Sequence, residues 1–331
     1  MQCAVVGAGA WGTALADMLA CNGHAVRIWA LEPGVARAIN DRRENPVFLP
    51  GFRLAESLEA STDHQRVLAG AQLVVFATPS QHLREIVQQG FQHLPTGAVL
   101  VVASKGIEQG TLSLMSDVVA EEARGHAVVA ISGPTFASEV AARQPTAIVA
   151  ASADSDAAVL TQDVLSSTTF RVYTHDDLIG VELGGSLKNV MAVATGIVEG
   201  LGLGNNSRAA LITRGLAEMT RLGVALGARA STFAGLAGIG DLVLTCTGIL
   251  SRNRAVGVEI GQGKTLEAAL AGKPTVAEGV TTTKSALALA ERERVEMPIV
   301  ATVYRVLFEG HSPHRAIPEL MERGLRPEQD A

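Results

Sequence analysis

Aromatic side chains are scarce: 2 Trp, 2 Tyr and 8 Phe make up only 4% of the 331 residues. With 47% apolar residues overall, the interior has to be built from Ala, Val, Leu and Ile, as in a globular and not a disordered chain. Cysteine is rarer still. Cys3, Cys21 and Cys246 are scattered and odd in number, which excludes a disulfide framework and predicts a reduced, cytoplasmic chain. The eight histidines form no HExxH or Cys/His cluster, so no metal is expected; His311 and His314 read as a surface turn around Pro313. Charged residues reach only 18%, and 27 basic against 33 acidic leaves a net of −6, which argues against nucleic acid as a partner. Long apolar runs are missing. Those present, such as residues 98–103, are strand-sized, so no membrane span is expected. The chain opens directly on a strand pattern, without a signal-peptide pattern. Lysine is the most informative shortage. Lys105, Lys188, Lys264, Lys273 and Lys284 are the only five, beside 27 − 5 = 22 arginines. Arginine holds its proton at neutral pH, so an amine acting as acid or base has few candidates here.

At about 150 residues per domain, the length predicts two domains. The first half alternates short apolar runs with helical stretches. Runs fall at residues 3–6, 25–30, 73–77, 98–103 and 127–132, with 147–150 a further candidate. Such alternation predicts a parallel sheet covered on both faces. From about residue 178 the spacing turns helical, at 178–199, 208–226, 265–271, 281–292 and 299–308. The expected fold is therefore an α/β domain (1–176), Rossmann-like in its alternation, followed by an all-α domain (177–331). The default ligand site is the cleft between them.

Gly7, Gly9 and Gly12 follow the first strand with GxGxxG spacing and open a helix. Gly7 permits the turn, Gly9 lets a pyrophosphate approach the backbone, and Gly12 lets the helix pack closely. Trp11 either shields a dinucleotide or packs under the loop. At the end of the second strand, Leu31-Glu32-Pro33 leaves Glu32 as a ribose contact or as a surface charge, and Arg37 lies a turn further on.

Later segments follow strand ends. Lys105, in Ser104-Lys105-Gly106, reads as an anion contact or as a solvated loop lysine. Ser132-Gly133-Pro134-Thr135-Phe136-Ala137 reads as a ligand-binding turn or as a plain helix start with Pro134 in its first turn. Gly184 and Gly185 weaken a helix by roughly 1 kcal/mol each, so something must pack closely over the face they share with Lys188. A ligand is favoured over a neighbouring helix. Asn206 or Ser207 reads as a helix cap. Asp241, in Gly238-Ile239-Gly240-Asp241, needs a basic partner if buried, with Lys188 a candidate. Ser251 reads as an N-cap, and Arg252 beside it as a phosphate ligand or a solvated charge.

Together these segments resemble the bacterial type of NAD(P)-dependent glycerol-3-phosphate dehydrogenase. The resemblance runs from GAGAWGTALA (7–16) through ASKG (103–106), SGPTFASEV (132–140) and ELGGSLKNV (182–190). It continues through NNSRAALITRGLAEM (205–219), GIGDLVLTC (238–246), SRNR (251–254) and VAEGV (276–280). It implies reversible reduction of dihydroxyacetone phosphate to sn-glycerol 3-phosphate with NADH or NADPH, for phospholipid synthesis. It also implies Lys188 as the acid/base, with Lys105 and Asp241 beside it. Gly133, Thr135, Thr245, Ser251, Arg252 and Asn253 join those three in holding substrate. Gly7, Gly9, Ala10, Trp11, Gly12, Leu31, Lys105, Ala137, Arg252, Val276 and Glu278 are implied on the cofactor. Many members carry Arg or His where this chain has Leu31, so NADH use at least comparable to NADPH is expected. Chemically, an ammonium at Lys188 can protonate the alkoxide formed by hydride delivery, with Asp241 orienting it and favouring its charged form. A 6-phosphogluconate or 3-hydroxyisobutyrate type of dehydrogenase is the neighbouring reading. A non-catalytic dinucleotide sensor is the reading from a different class. The Ala-rich helices point to a homodimer.

Overall fold

The computed structural model describes residues 1–272, 277–325, 327 and 328. Its N-terminal part holds eight strands: β1 Gln2–Val6, β2 Ala25–Trp29, β3 Glu59–Ser61, β4 Leu73–Phe76, β5 Val99–Val102, β6 Val128–Ser132, β7 Thr146–Ala151 and β8 Phe170–His175. They form one sheet in the order β3-β2-β1-β4-β5-β6-β7-β8. The order turns back on itself between β1 and β4, which opens a crevice at their carboxyl ends. Alternate side chains cover both faces. Val5, Ile28, Val75 and Val101 enter one core, and Ala4, Val74, Phe76 and Leu100 enter the other.

The helices used below are α1 Ala10–Cys21, α2 Pro33–Arg42, α3 Met115–Glu122, α4 Ala137–Ala141, α5 Leu178–Gly200, α6 Asn205–Ala225, α7 Asp241–Thr247, α8 Arg252–Gly261, α9 Glu278–Arg292 and α10 Pro298–Phe308. Helix α5 is buried along nearly its whole length and forms the axis of the helical part. Its N-cap, Asp177, accepts from the Gly180 N–H, the Arg229 N–H and the Thr232 hydroxyl. Helices α5 and α8 touch backbone to backbone. A Cβ at Gly196 would stand 2.1 Å from the Arg254 carbonyl oxygen, and one at Gly257 would stand 2.1 Å from that of Val193.

Several expectations need correction. The sheet is not wholly parallel, because β7 runs antiparallel to β6. The link between them contains only the five-residue α4. At 1.5 Å per residue such a helix is too short to carry the chain back across the sheet, so the next strand starts at the same edge and runs the other way. Strand β8 shows alternating burial, with Phe170 and Val172 inward and Arg171 and Tyr173 outward, so no apolar run announces it. Neither Asn206 nor Ser207 caps α6; Gly204 does, without a side-chain bond. Pro134 precedes α4, whose N-cap is Phe136. One 18-residue stretch, Ala230–Thr247, has a mean hydropathy of 1.3, but non-helical Gly238 breaks it and its Asp241 is ion-paired.

Candidate active site

The site begins at the first turn. Gly7 has φ +115°, and a Cβ there would stand 2.8 Å from the Ala77 carbonyl oxygen. A Cβ at Gly12 would collide with the Gly7 carbonyl oxygen. Gly9, by contrast, faces open space and caps α1 without a side-chain bond. No acidic residue stands in the first turn of α1. The N–H groups of this helix start, from Ala10 and Trp11 onward, therefore suit a pyrophosphate. Trp11 packs against the core of the sheet domain, which favours the packing half of its two readings. Leu31 is 69% exposed just past β2, and Glu32 and Arg37 are exposed beside it.

Five of the expected substrate-side residues converge directly. Lys188, from the middle of α5, donates to Asp241 Oδ1 at 2.5 Å and to Thr245 Oγ1 at 2.9 Å. Lys105 donates to the other carboxylate oxygen, Oδ2, at 2.8 Å and to the Gly133 carbonyl at 3.4 Å. Asp241 is fully buried at the first position of α7, so the expected basic partner is present, and there are two of them. Two ammonium groups around one carboxylate leave a surplus positive charge. Such a surplus, away from water, favours an anionic ligand or a developing alkoxide. Thr245, one turn along α7, donates to the Asp241 carbonyl at 2.6 Å, which holds the cluster to the helix.

Burial is the strongest influence on Lys188 and lowers its pKa to about 8; Asp241 opposes that shift and Lys105 adds to it. Asp241 does favour the charged form, as expected, but burial outweighs it. Gly133 has φ +150°, and Thr135 donates to its carbonyl at 3.1 Å, so the 133–135 turn presents backbone beside Lys105. Ala137 opens α4 immediately after it.

The glycine face of α5 is covered by protein. A Cβ at Gly184 would stand 2.3 Å from the Ala237 carbonyl oxygen, and one at Gly185 would stand 2.5 Å from Ser132 Oγ. The ligand expected over those two glycines is therefore replaced by the 236–240 bend and the end of β6. Close packing there fixes Lys188 one turn further on.

Ser251 caps α8, accepting from the Arg254 N–H at 3.3 Å, as its sequence position predicts. Arg252 is exposed at the first position of that helix. Asn253 has both amide ends engaged by protein. Its Nδ2 donates to Asn189 Oδ1 at 2.9 Å, and its Oδ1 accepts from the Gly279 N–H at 2.9 Å. Asn253 thus ties α8 to α5 beside Lys188 and to the start of α9. Glu278, at that start, accepts from Ser80 N–H and Oγ. Val276 and Lys273 lie outside the described residues. Lys264 and Lys284 are exposed, as expected of surface lysines.

A family model described as the NAD-dependent glycerol-3-phosphate dehydrogenase N-terminus matches residues 2–158, and the corresponding C-terminus model matches residues 177–318. The chain belongs to this dehydrogenase family. Among its relatives, a protein named glycerol-3-phosphate dehydrogenase [NAD(P)+] from Syntrophotalea carbinolica is 53% identical, with 100% of both chains covered. One of the same name from Citrifermentans bemidjiense is 51% identical, with 98% of each covered. A crystal structure of glycerol-3-phosphate dehydrogenase from Coxiella burnetii superposes with a TM-score of 0.94 at 41% identity, covering 97% of this chain and 99% of that one.

In this glycerol-3-phosphate dehydrogenase family member, sequence reasoning missed Ser80, Gln81 and Ser186 as parts of the site. Ser186 donates to the Gly106 carbonyl at 3.1 Å. The available signal for Ser80 and Gln81 was their place at the carboxyl end of β4, directly after Thr78-Pro79. Two surface hollows, of about 500 and 250 Å³, lie along α9 and α10 and include none of the lysine cluster.

Proposed function

We propose that this protein reversibly reduces dihydroxyacetone phosphate to sn-glycerol 3-phosphate with NADH or NADPH, supplying a glycerophospholipid backbone. The observation that carries this reading is the buried Lys105–Asp241–Lys188 cluster at the carboxyl edge of a dinucleotide-type sheet. The reduced nicotinamide, when bound, supplies the hydride. Lys188 polarises the ketone oxygen and hands it a proton as the alkoxide forms. Asp241 aims the ammonium, with Thr245 as its second acceptor. Lys105 sets a further positive charge beside the Gly133–Thr135 turn. Arg252, at the capped start of α8, meets the substrate phosphate and fixes the carbonyl relative to Lys188. Asn253 supports that geometry through Asn189. Gly7, Gly9, Ala10, Trp11 and Gly12 would hold the dinucleotide, together with Leu31, Lys105, Ala137, Arg252 and Glu278.

We assign residues 1–176 to the dinucleotide domain and 177–331 to the catalytic domain. The three free cysteines support a reducing, cytoplasmic setting. The homodimer also belongs to this proposal; exposed Leu203 and Val224 on the helical part support it better than α5, whose small residues pack within the chain. The deciding experiment is Lys188→Ala. Turnover of dihydroxyacetone phosphate, followed by cofactor absorbance, should fall by roughly three orders of magnitude while NADH still binds. Near-normal turnover removes Lys188 from the chemistry.

A further inference from the structure

Four segments from both parts of the molecule meet beneath Lys105. Ser80, 1% exposed, follows β4 and donates to Glu278 twice, from its N–H at 3.1 Å and its hydroxyl at 2.7 Å. The glycine after Lys105 makes room for that contact. A Cβ at Gly106 would stand 2.5 Å from Ser80 Oγ and 3.6 Å from Glu278 Oε2. The Gly106 carbonyl is held by Ser186, two residues before Lys188. Gln81 completes the junction. Its Nε2 donates to Ser80 Oγ at 3.2 Å and to the Ile107 carbonyl at 2.9 Å, and its Oε1 accepts from the Gln109 N–H.

The Ser80 hydroxyl is thus used in both senses, accepting from Gln81 and donating to Glu278. A carboxylate offers about four lone-pair positions, and Ser80 takes two. Burial is the largest influence on the Glu278 carboxyl and leaves its pKa raised, against the two Ser80 donors and the charges of Arg252 and His82, which pull it down. A simple strut between the two parts of the molecule gains nothing from a buried charge, since a neutral amide also accepts from Ser80. A charged acceptor is useful where the ligand brings hydroxyl or amide donors.

We propose that Ser80 is a positioning residue for the dinucleotide, fixing the Glu278 carboxylate with two donors and aiming it at the ligand's hydroxyl and amide donors. This rests on the reading of Glu278 as a cofactor contact. The fixed Ser80 also keeps the Lys105–Gly106 backbone in register with α5, so cofactor and substrate groups are set by one junction.

The test titrates the full-length protein with NADH alone, by fluorescence, in Ser80→Ala, Glu278→Gln and the double variant. Each single substitution should raise the dissociation constant about tenfold, as expected for one hydrogen bond to a charged group. The double variant should be no weaker than Glu278→Gln. The Ser80→Ala loss should deepen as pH is lowered, because a carboxyl left with one donor binds a proton more readily; Arg252 and His82, which also face Glu278, are common to both proteins. Unchanged binding in Ser80→Ala, with weakened binding in Glu278→Gln, overturns the role of Ser80 and leaves the Glu278 reading standing. Unchanged binding in Glu278→Gln overturns both. Additive losses in the double variant also overturn the proposal, because Ser80 then acts elsewhere.

Discussion

Lys188 lies between opposing influences: burial strips its charge, Asp241 restores part of it, and Lys105 repels it. A pKa near 8 places its titration where both directions of the reaction can use it. Reduction needs the ammonium, so kcat/KM for the ketone should hold below pH 8 and fall as pH rises through it. Oxidation needs the free amine and should rise through the same range. Rate profiles in both directions check the sign, and matching profiles would remove Lys188 as the titrating group. In Asp241→Asn the limb should move to lower pH, because the carboxylate that supports the ammonium is gone. Just past β2, exposed Leu31 offers no charge to a 2′-phosphate. The ratio of kcat/KM for NADH to that for NADPH should therefore be near or above one. A hundredfold preference for NADPH would contradict this.

Helices α5 and α8 approach so closely that each glycine in the seam is covered by the other helix's backbone. Besides Gly196 and Gly257, a Cβ at Gly200 would stand 2.3 Å from the Val258 carbonyl oxygen, and one at Gly261 would stand 2.4 Å from that of Ile197. Gly196→Ala forces the helices apart, and overpacking of this kind costs about 1–3 kcal/mol. The same separation moves Arg252 and Asn253 away from Lys188. Urea unfolding should show the lost stability, and KM for dihydroxyacetone phosphate should rise with it. Sequence spacing made α5 legible, because its apolar stripe repeats at helical intervals, and the Ser251 cap marked the start of α8. It could not reveal that the glycines at 184 and 185 meet a bend and a strand end, since those partners come from distant parts of the chain. Nor could an apolar-run criterion find β8, whose outward face is polar.

At the scale of the molecule, the net charge is −6, yet Lys105 and Lys188 share one buried carboxylate, Asp241. Local placement can therefore attract phosphorylated ligands that the average charge would repel. Raising salt from about 20 mM to about 500 mM should increase KM for dihydroxyacetone phosphate roughly threefold, through screening. Uncharged dihydroxyacetone is the control and should show no such rise. The shortage of lysine made Lys105 and Lys188 easy to single out, and their convergence on Asp241 follows from the fold. The Ser80–Glu278 junction joins residues 198 apart, and nothing local to either one names the other as its partner. The reversal of β7 has its own effect on this site. With β7 and β8 running back, the chain leaves the sheet below the ligand edge, and α5 then climbs past that edge. In the proposed reaction the ketone meets Lys188 on the flank of a long helix and not at a tip. A helix tip offers a permanent partial charge that has no proton to release. The flank, with its amides already committed, offers an amine that can change state within a catalytic cycle.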